Sequence, residues 1–423
     1  MERKLQAFEA AIAETAARRP FNIVGSLRIS PPLDSDQLRR ALDALQQNHP
    51  MLRTHIETRG AGRWLVESGR QPIPLKTLEG AGKGDWQIEV EAELSDQVDP
   101  TITPLIRFTN LVAADHQSSD LIFRAHHSIL DGVSAQAMVD ELLRRLAGAS
   151  TSPGGKLLTP SPASRYPGQW RTPRVLPAMA AYGGRELVRD VSYQLRNGSS
   201  RHRVHPKARS KVLTRSLDHA ASERLIRATR RRRISLNSAL QAAGLLALAK
   251  HQSDQRRQPM QSITFADLRP YLKPPLRAEQ LGCAISMLRF GLILDQESSF
   301  WDVAGAVHQL ISAAASRGDK FVSTHLAPMM MRVLLSQRRM RMASTALSYL
   351  GPIKLSDRYG RYQLREIHGF VSDIDIGPVY SALAHIWRGE LQWNFAYLDT
   401  DWDRRAAEAI ADDLLGLLRS ALD

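Results

Sequence analysis

Six prolines crowd the stretch between residues 153 and 177 (Pro153, Pro160, Pro162, Pro167, Pro173 and Pro177), and no other feature constrains the fold as much. Proline fixes φ, lacks an N–H and pushes the residue before it out of the helical region. Neither a long helix nor a central strand can therefore cross that cluster. The stretch stays rich in Gly, Ser and basic residues to about residue 210, which predicts a connection over 151–210 with one helix inside it, Met179 to Leu195. The 423 residues are thereby divided into segments 1–150 and 211–423, each long enough for a core of its own.

Both flanks read as mixed β/α. On the first, helix is predicted from Leu5 to Ala17, strand from Phe21 to Ile29, and helix after Asp34 or Ser35, with Leu38, Ala41, Leu42 and Leu45 as one apolar stripe. His49-Pro50 ends that helix; Met51–Glu57 and Trp64–Glu67 then read as strands paired across Gly60-Ala61-Gly62. Strands at Leu105–Val112 and Leu121–His126 precede a helix over Val133–Leu146. The second β/α segment begins near Val212, and Ser235-Leu236-Asn237 opens an Ala/Leu-rich helix from Ser238 to His251. Strands follow at Gln261–Phe265 and Ala284–Leu294, then a helix over Trp301–Ser316. The last strands are Ala346–Leu350, Val379–Trp387 and Glu390–Tyr397, and a helix over Asp403–Leu422 closes the pattern.

Hydrophobic residues at 43% and charged residues at 24% suit a globular enzyme and not a disordered chain. Cys283 is the single cysteine, so an intramolecular disulfide and a cysteine zinc cluster are excluded, and no other ligand cluster suggests a metal. No apolar run reaches the length of a bilayer span, and Met1-Glu2-Arg3-Lys4-Leu5-Gln6 lacks the apolar core of a signal peptide; a cytoplasmic protein is expected. The net charge of +14 attracts an acidic partner: nucleic acid, an anionic membrane, coenzyme A phosphates or an acidic carrier protein. Without zinc spacing or an aromatic RNA-binding motif, nucleic acid is not the expected partner.

The chemistry-bearing segment is His126-His127-Ser128-Ile129-Leu130-Asp131-Gly132. Strand alternation puts Leu121, Phe123, Ala125 and His127 on one face and Ile122, Arg124 and His126 on the other, so the two histidines have different surroundings. Asp131 is close enough to fix the turn, Gly132 permits a backbone conformation other residues avoid, and Ser134 is expected to cap the next helix. A neutral imidazole can take a proton from an attacking hydroxyl or amine at neutral pH. The tetrahedral oxyanion that then forms on a thioester carbonyl needs a nearby donor. No Gly-x-Ser-x-Gly elbow supplies a protein nucleophile. By spacing alone His-x-x-x-Asp is a weak signal, since histidine in a strand is more often structural; the doubled histidine and Asp131-Gly132 strengthen it.

This segment resembles the His-His-x-x-x-Asp-Gly signature of the condensation-domain superfamily, which includes nonribosomal peptide condensation domains, chloramphenicol acetyltransferase-like enzymes and polyketide-associated (phthiocerol-type) acyltransferases. His49-Pro50-Met51-Leu52-Arg53, Ser235-Leu236-Asn237-Ser238-Ala239, Asp267-Leu268-Arg269-Pro270 with Leu281-Gly282, and Ser348-Tyr349-Leu350-Gly351-Pro352 resemble further family elements in family order, Tyr349 replacing the usual Asn. The resemblance implies an α/β fold of two chloramphenicol acetyltransferase-like sandwich lobes with an active-site tunnel between them. It implies His127 as catalytic base, with His126 structural and Asp131 a structural carboxylate paired with an arginine, for which Arg269 is the candidate. Gly132, through its N–H, and Ser348 are the implied oxyanion or tunnel contacts. No bound cofactor is expected. The implied donor is a phosphopantetheine thioester, on acyl carrier protein or coenzyme A, and the acceptor a hydroxyl, with an amine as the alternative. Two other readings stay open: a stand-alone amide-forming condensation enzyme and a non-catalytic carrier-binding module.

Two basic features fall outside the motif. Arg230-Arg231-Arg232-Arg233 reads as a docking patch for an acidic carrier or for coenzyme A phosphates, or as a solvated helix end. Pro328 to Met342, apolar and basic together, reads as a core-facing helix, an acyl-chain lining or a contact with an anionic membrane surface, an idea the basic stretch from Arg171 to Lys211 also invites. A monomer is expected.

Overall fold

The computed structural model describes the chain except residues 70, 152–156, 198–207, 253–256, 296, 337–340 and 423, together with the side chains of 194–197. Pro153 of the proline cluster and Arg338, Arg339 and Met340 of the apolar and basic segment lie outside the described residues. Two compact units emerge, and neither is one continuous stretch. The first comprises Met1–Pro167, Asp267–Ile285 and Ile353–Ser372; the second comprises Gly168–Ala266, Ser286–Pro352 and Asp373–Asp423.

The first unit is built on a six-stranded mixed sheet in the spatial order Arg358–Tyr359, Tyr362–Val371, Asn22–Ser30, Ser119–His126, Ile106–Ala113, Leu75–Ala81. Its centre is the antiparallel pair in which Ile23 faces Ala125 and Leu27 faces Leu121. Gly25 is required there, because a Cβ at that position would lie 2.3 Å from a ring carbon of Phe123 on the partner strand. The helix Ser35–Asn48 is capped by Asp34, which accepts from the Gln37 N–H, and buries Leu38, Ala41, Leu42 and Leu45 as its spacing predicts. Residues 50–53 form a 3₁₀ turn and the strand starts only at Thr54, because Pro50 supplies the first position of a helical turn more readily than a strand. A small sheet of Glu2–Lys4, Gly62–Glu67 and Thr54–Arg59 completes the unit.

The second unit holds another six-stranded sheet, in the order Ile285–Asp295, Arg257–Asp267, Thr345–Pro352, Tyr380–Trp387, Glu390–Leu398, Ser210–Leu217. Thr345–Pro352 pairs in parallel with both its neighbours, so the sheet is mixed. The Ala/Leu-rich helix Leu236–Gln252 is buried along most of its length, as a helix apolar on nearly all sides must be, and packs with Phe300–Ser316 and Arg404–Ser420 in one core. The helix expected inside the proline-rich connection runs from Leu176 to Asn197 and lies in this unit. Pro328 sits inside a helix, Asp319–Ser336, in which Met331 and Leu334 are buried while Met329 and Val333 are exposed.

Candidate active site

Strand Ser119–His126 stops at His126, and residues 127–129 form a turn before helix Gly132–Leu146 begins. His127 therefore belongs to the turn and not to the strand, so alternation does not set its direction; the backbone reversal does. Both histidines are buried, His126 completely and His127 to 6% exposure.

Hydrogen bonds separate their roles. The Leu130 carbonyl lies 3.0 Å from His127 Nδ1, and a carbonyl can only accept, so Nδ1 carries the proton and Nε2 is left with its lone pair. Phe21 stacks on that imidazole at 5.6 Å between centroids and an interplanar angle of 25°. Burial pushes the His127 pKa below the usual imidazole value, and the neighbouring Asp131 charge opposes the shift only in part. His126 has the opposite tautomer: its Nδ1 accepts from the Ser128 N–H at 3.2 Å, leaving the proton on a buried Nε2 without a partner among the described residues. Burial, with the adjacent His127 and Arg124, holds the His126 pKa at about 3, so this ring is neutral at any ordinary pH.

Asp131 is fully buried and accepts four hydrogen bonds: from Arg269 Nη1 at 2.8 Å and Nη2 at 3.0 Å, from the Ser134 N–H at 2.9 Å and from the Ala284 N–H at 2.8 Å. Burial by itself raises a carboxyl pKa, but the Arg269 charge and these donors outweigh it and hold Asp131 below the usual carboxylate range. Arg269 also reaches Asp267 Oδ1 at 3.0 Å and Ser134 Oγ at 2.7 Å, and the Ser134 hydroxyl donates to the Gly282 carbonyl at 3.0 Å. The Asp131 ion pair thus ties the turn carrying His127 to the loop that contains Arg269 and Gly282, all within the first unit.

Two local expectations are corrected. The residue that caps helix Gly132–Leu146 is Asp131, whose side chain accepts from the Ser134 N–H; the Ser134 hydroxyl is engaged with Arg269 and Gly282 instead. Gly132 is the first helical residue and is not among the residues of positive φ, so a left-handed turn is not what the glycine supplies here. Sequence reasoning did not reach Phe21, the Leu130 carbonyl, or the Ser134 and Ala284 contacts with Asp131. Gly282-Cys283-Ala284 was signalled only by following Leu281-Gly282, while nothing in the pattern marks Phe21 as a ring partner.

The remaining candidates lie in the second unit. Ser348 is half-buried on strand Thr345–Pro352, beside Tyr349, whose phenol burial pushes up to about 12. Arg230, Arg231, Arg232 and Arg233 are all exposed where helix His219–Arg231 ends; Arg232 lies 4.1 Å over the Trp301 ring and Arg233 has a φ of 55°. Cys283, in the first unit, is buried with its thiol pKa pushed well up by that burial. No helix among the described residues is long and apolar enough to cross a membrane.

Residues 15–151 match the condensation domain family, and residues 206–354 match the family described as phthiocerol/phthiodiolone dimycocerosyl transferase C-terminus. A phthiocerol/phthiodiolone dimycocerosyl transferase of Mycobacterium leprae is 30% identical over 132 residues, 30% of this chain and 29% of that protein. The match thus spans under a third of that relative's length. A protein of the same description from Mycobacterium sp. (strain JLS) is 23% identical over 332 residues, 75% of this chain and 74% of that protein. Among solved structures, trichothecene 15-O-acetyltransferase of Fusarium sporotrichioides superimposes with a TM-score of 0.79 at 12% identity, covering 99% of this chain and 95% of that one. The first condensation domain of the CDA synthetase gives 0.71 at 14% identity over 100% and 97%. Polyketide synthase associated protein 5 of Mycobacterium tuberculosis gives 0.69 at 18% identity over 99% and 98%. At these identities the likeness is one of fold: mixed α/β, of the condensation and chloramphenicol acetyltransferase-like type.

Proposed function

We propose that the chain, which matches the condensation domain family over residues 15–151 and the phthiocerol/phthiodiolone dimycocerosyl transferase C-terminus family over residues 206–354, is an acyltransferase of the condensation-domain superfamily that moves an acyl group from a phosphopantetheine thioester to a hydroxyl. One observation carries this reading: the Leu130 carbonyl holds the proton of His127 on Nδ1, so a buried, neutral imidazole offers the lone pair of Nε2 as a base.

In the proposed reaction Nε2 takes the hydroxyl proton as the acceptor oxygen adds to the thioester carbonyl. The tetrahedral oxyanion collapses, the C–S bond breaks, and the imidazolium returns the proton to the leaving sulfur. The products are an ester and a free phosphopantetheine thiol, with no acyl-enzyme between. The Gly132 N–H, one of the helix donors without an intrahelical acceptor, is the proposed oxyanion donor, and Ser348 a proposed substrate contact. Asp131 and Arg269 are proposed to hold the turn and not to touch substrate. The names of the relatives favour lipid or polyketide products, and the exposed run Arg230–Arg233 offers four positive charges to an acidic carrier or to coenzyme A phosphates.

The test is acyl transfer by the full chain, read by mass spectrometry of acyl loss from carrier-bound and coenzyme A donors against alcohol and amine acceptors. His127→Ala is expected to lower kcat by roughly 10²–10⁴-fold with its fold intact. Full product formation by that variant would overturn the general-base reading. Product from amines alone would make the protein an amide-forming enzyme, and carrier binding without any transfer would make it a recruitment module.

A further inference from the structure

The helix Leu176–Asn197 is built inside out. Its polar side chains turn toward the protein: Glu186 and Asp190 bind Arg289 at 2.9 and 2.8 Å, Arg189 donates to the Arg289 carbonyl at 3.1 Å, and Arg185 pairs with Asp319 at 2.8 Å. Arg289 is itself only 4% exposed, so this network is anchored beneath the helix. The opposite face, spaced at three and four residues, carries Leu176, Ala180, Gly184, Leu187, Val188 and Val191, every one of them exposed. Leu187 and Val188 are 65% and 67% exposed, Leu176 51% and Val191 46%. No charged or hydrogen-bonding side chain interrupts those positions over four turns. The neighbouring helix Asp319–Ser336, packed against this one through Tyr182 and Leu326, exposes Met329 and Val333 as well.

A helix normally turns its apolar stripe inward, where burial of each aliphatic side chain is favourable. Here the buried ion network holds the helix in the reverse orientation, and an apolar face of that length on a soluble surface marks a contact. The sequence on both sides is basic: exposed Arg171 and Arg174 precede the helix, and residues 198–211 contain five Lys or Arg and no acidic residue. A second copy of the chain is a poor occupant, since each copy carries +14 and an isologous contact would bring like flanks together. A specific protein partner asks for several hydrogen-bonding groups within the contact, and among the described side chains Ser192, at the edge of this face, is the one such group exposed beside Val188 and Val191. A lipid surface asks only for aliphatic side chains and flanking positive charge.

We propose that the outward face of Leu176–Asn197 is a docking surface for an anionic lipid bilayer, on which the helix lies in the plane of the interface. The inference rests on the packing of this helix and is independent of the reaction proposed for His127. The full chain is expected to co-sediment with phosphatidylcholine vesicles containing about one third phosphatidylglycerol, less with pure phosphatidylcholine, and less as salt rises. Replacing Leu187, Val188 and Val191 together by Ser is expected to cut vesicle partitioning at least tenfold while leaving the melting temperature and acyl transfer to a soluble acceptor unchanged. As a second reading, Val188→Cys carrying an environment-sensitive fluorophore is expected to brighten and shift to the blue on vesicle addition; Cys283, the only native cysteine, is buried. Unchanged partitioning of the triple variant, or a label at 188 that does not respond to vesicles, overturns the proposal. So does a concentration-dependent dimer in sedimentation equilibrium that the triple variant abolishes, which would assign the face to a second copy.

Discussion

Replacing Arg269 by Met removes the counter-charge of a carboxylate that has no exposure to solvent. Asp131 then keeps only the Ser134 and Ala284 N–H groups of its four donors. Breaking a buried pair by removing one partner costs about 3–5 kcal/mol, because the remaining charge stays buried and uncompensated. Asp131→Asn is expected to cost a similar amount: it strands a guanidinium of 3% exposure with Asp267 as its remaining carboxylate, and puts an amide N–H against donors. The first unit holds about 200 residues, so about 2–4 °C per kcal/mol translates each loss into a fall of roughly 6–20 °C in the melting temperature of that unit. Combining the two substitutions removes both charges at once, so the double variant should be less destabilised than the sum of the singles by about 2–3 kcal/mol. Calorimetry on the four proteins measures this, and acyl transfer measured alongside should fall for both singles, since Asp131 fixes the backbone next to the Leu130 carbonyl that orients His127. Strict additivity, or single losses under about 1 kcal/mol, would show that the pair is not what holds the turn.

Three further outcomes are expected. Because the His127 pKa is lowered by burial and the base must be unprotonated, kcat/KM should rise with pH along an acid limb centred below the ordinary 6.5; a limb centred at or above 6.5 refutes the neutral buried imidazole. His126 has a folded pKa of about 3 against about 6.5 unfolded, so the unfolded chain binds the extra proton between those values and stability is lost as pH falls below 6.5. That group contributes a slope of about 1.4 kcal/mol per pH unit, and thermal melts from pH 7 to 4.5 should show a flatter dependence for His126→Gln; identical slopes sink the assignment. Gly25→Ala places a methyl 2.3 and 2.5 Å from Phe123 ring carbons and should destabilise the first unit by about 1–3 kcal/mol in denaturant titration, with partial recovery on adding Phe123→Leu; an unaffected midpoint contradicts the packing.

What the residues determine by themselves is local. Periodicity places most of the helices and strands within a few residues, because Leu38, Ala41, Leu42 and Leu45 can share only a helix face, and Asp34 can cap that helix from its own chain neighbourhood. The doubled histidine followed by Asp131 and Gly132, with the other elements in family order, is likewise carried by adjacent positions. The short helix Asp85–Ser95, helix His219–Arg231 and strand Tyr362–Val371 escaped, the last because Arg365, Glu366 and His368 interrupt its apolar alternation. Only the tertiary structure brings that strand beside Asn22–Ser30, more than three hundred residues away in the chain, since pairing of strand edges depends on the whole sheet and not on either segment's own pattern. Only it chooses which nitrogen of each histidine carries the proton, because that is set by where the Leu130 carbonyl and Ser128 N–H come to point once the turn has closed. It also turns the aliphatic face of Leu176–Asn197 outward: by composition alone those leucines and valines belong inside, and it is the buried Arg289, reached from a distant strand, that claims the helix's acidic side for the interior.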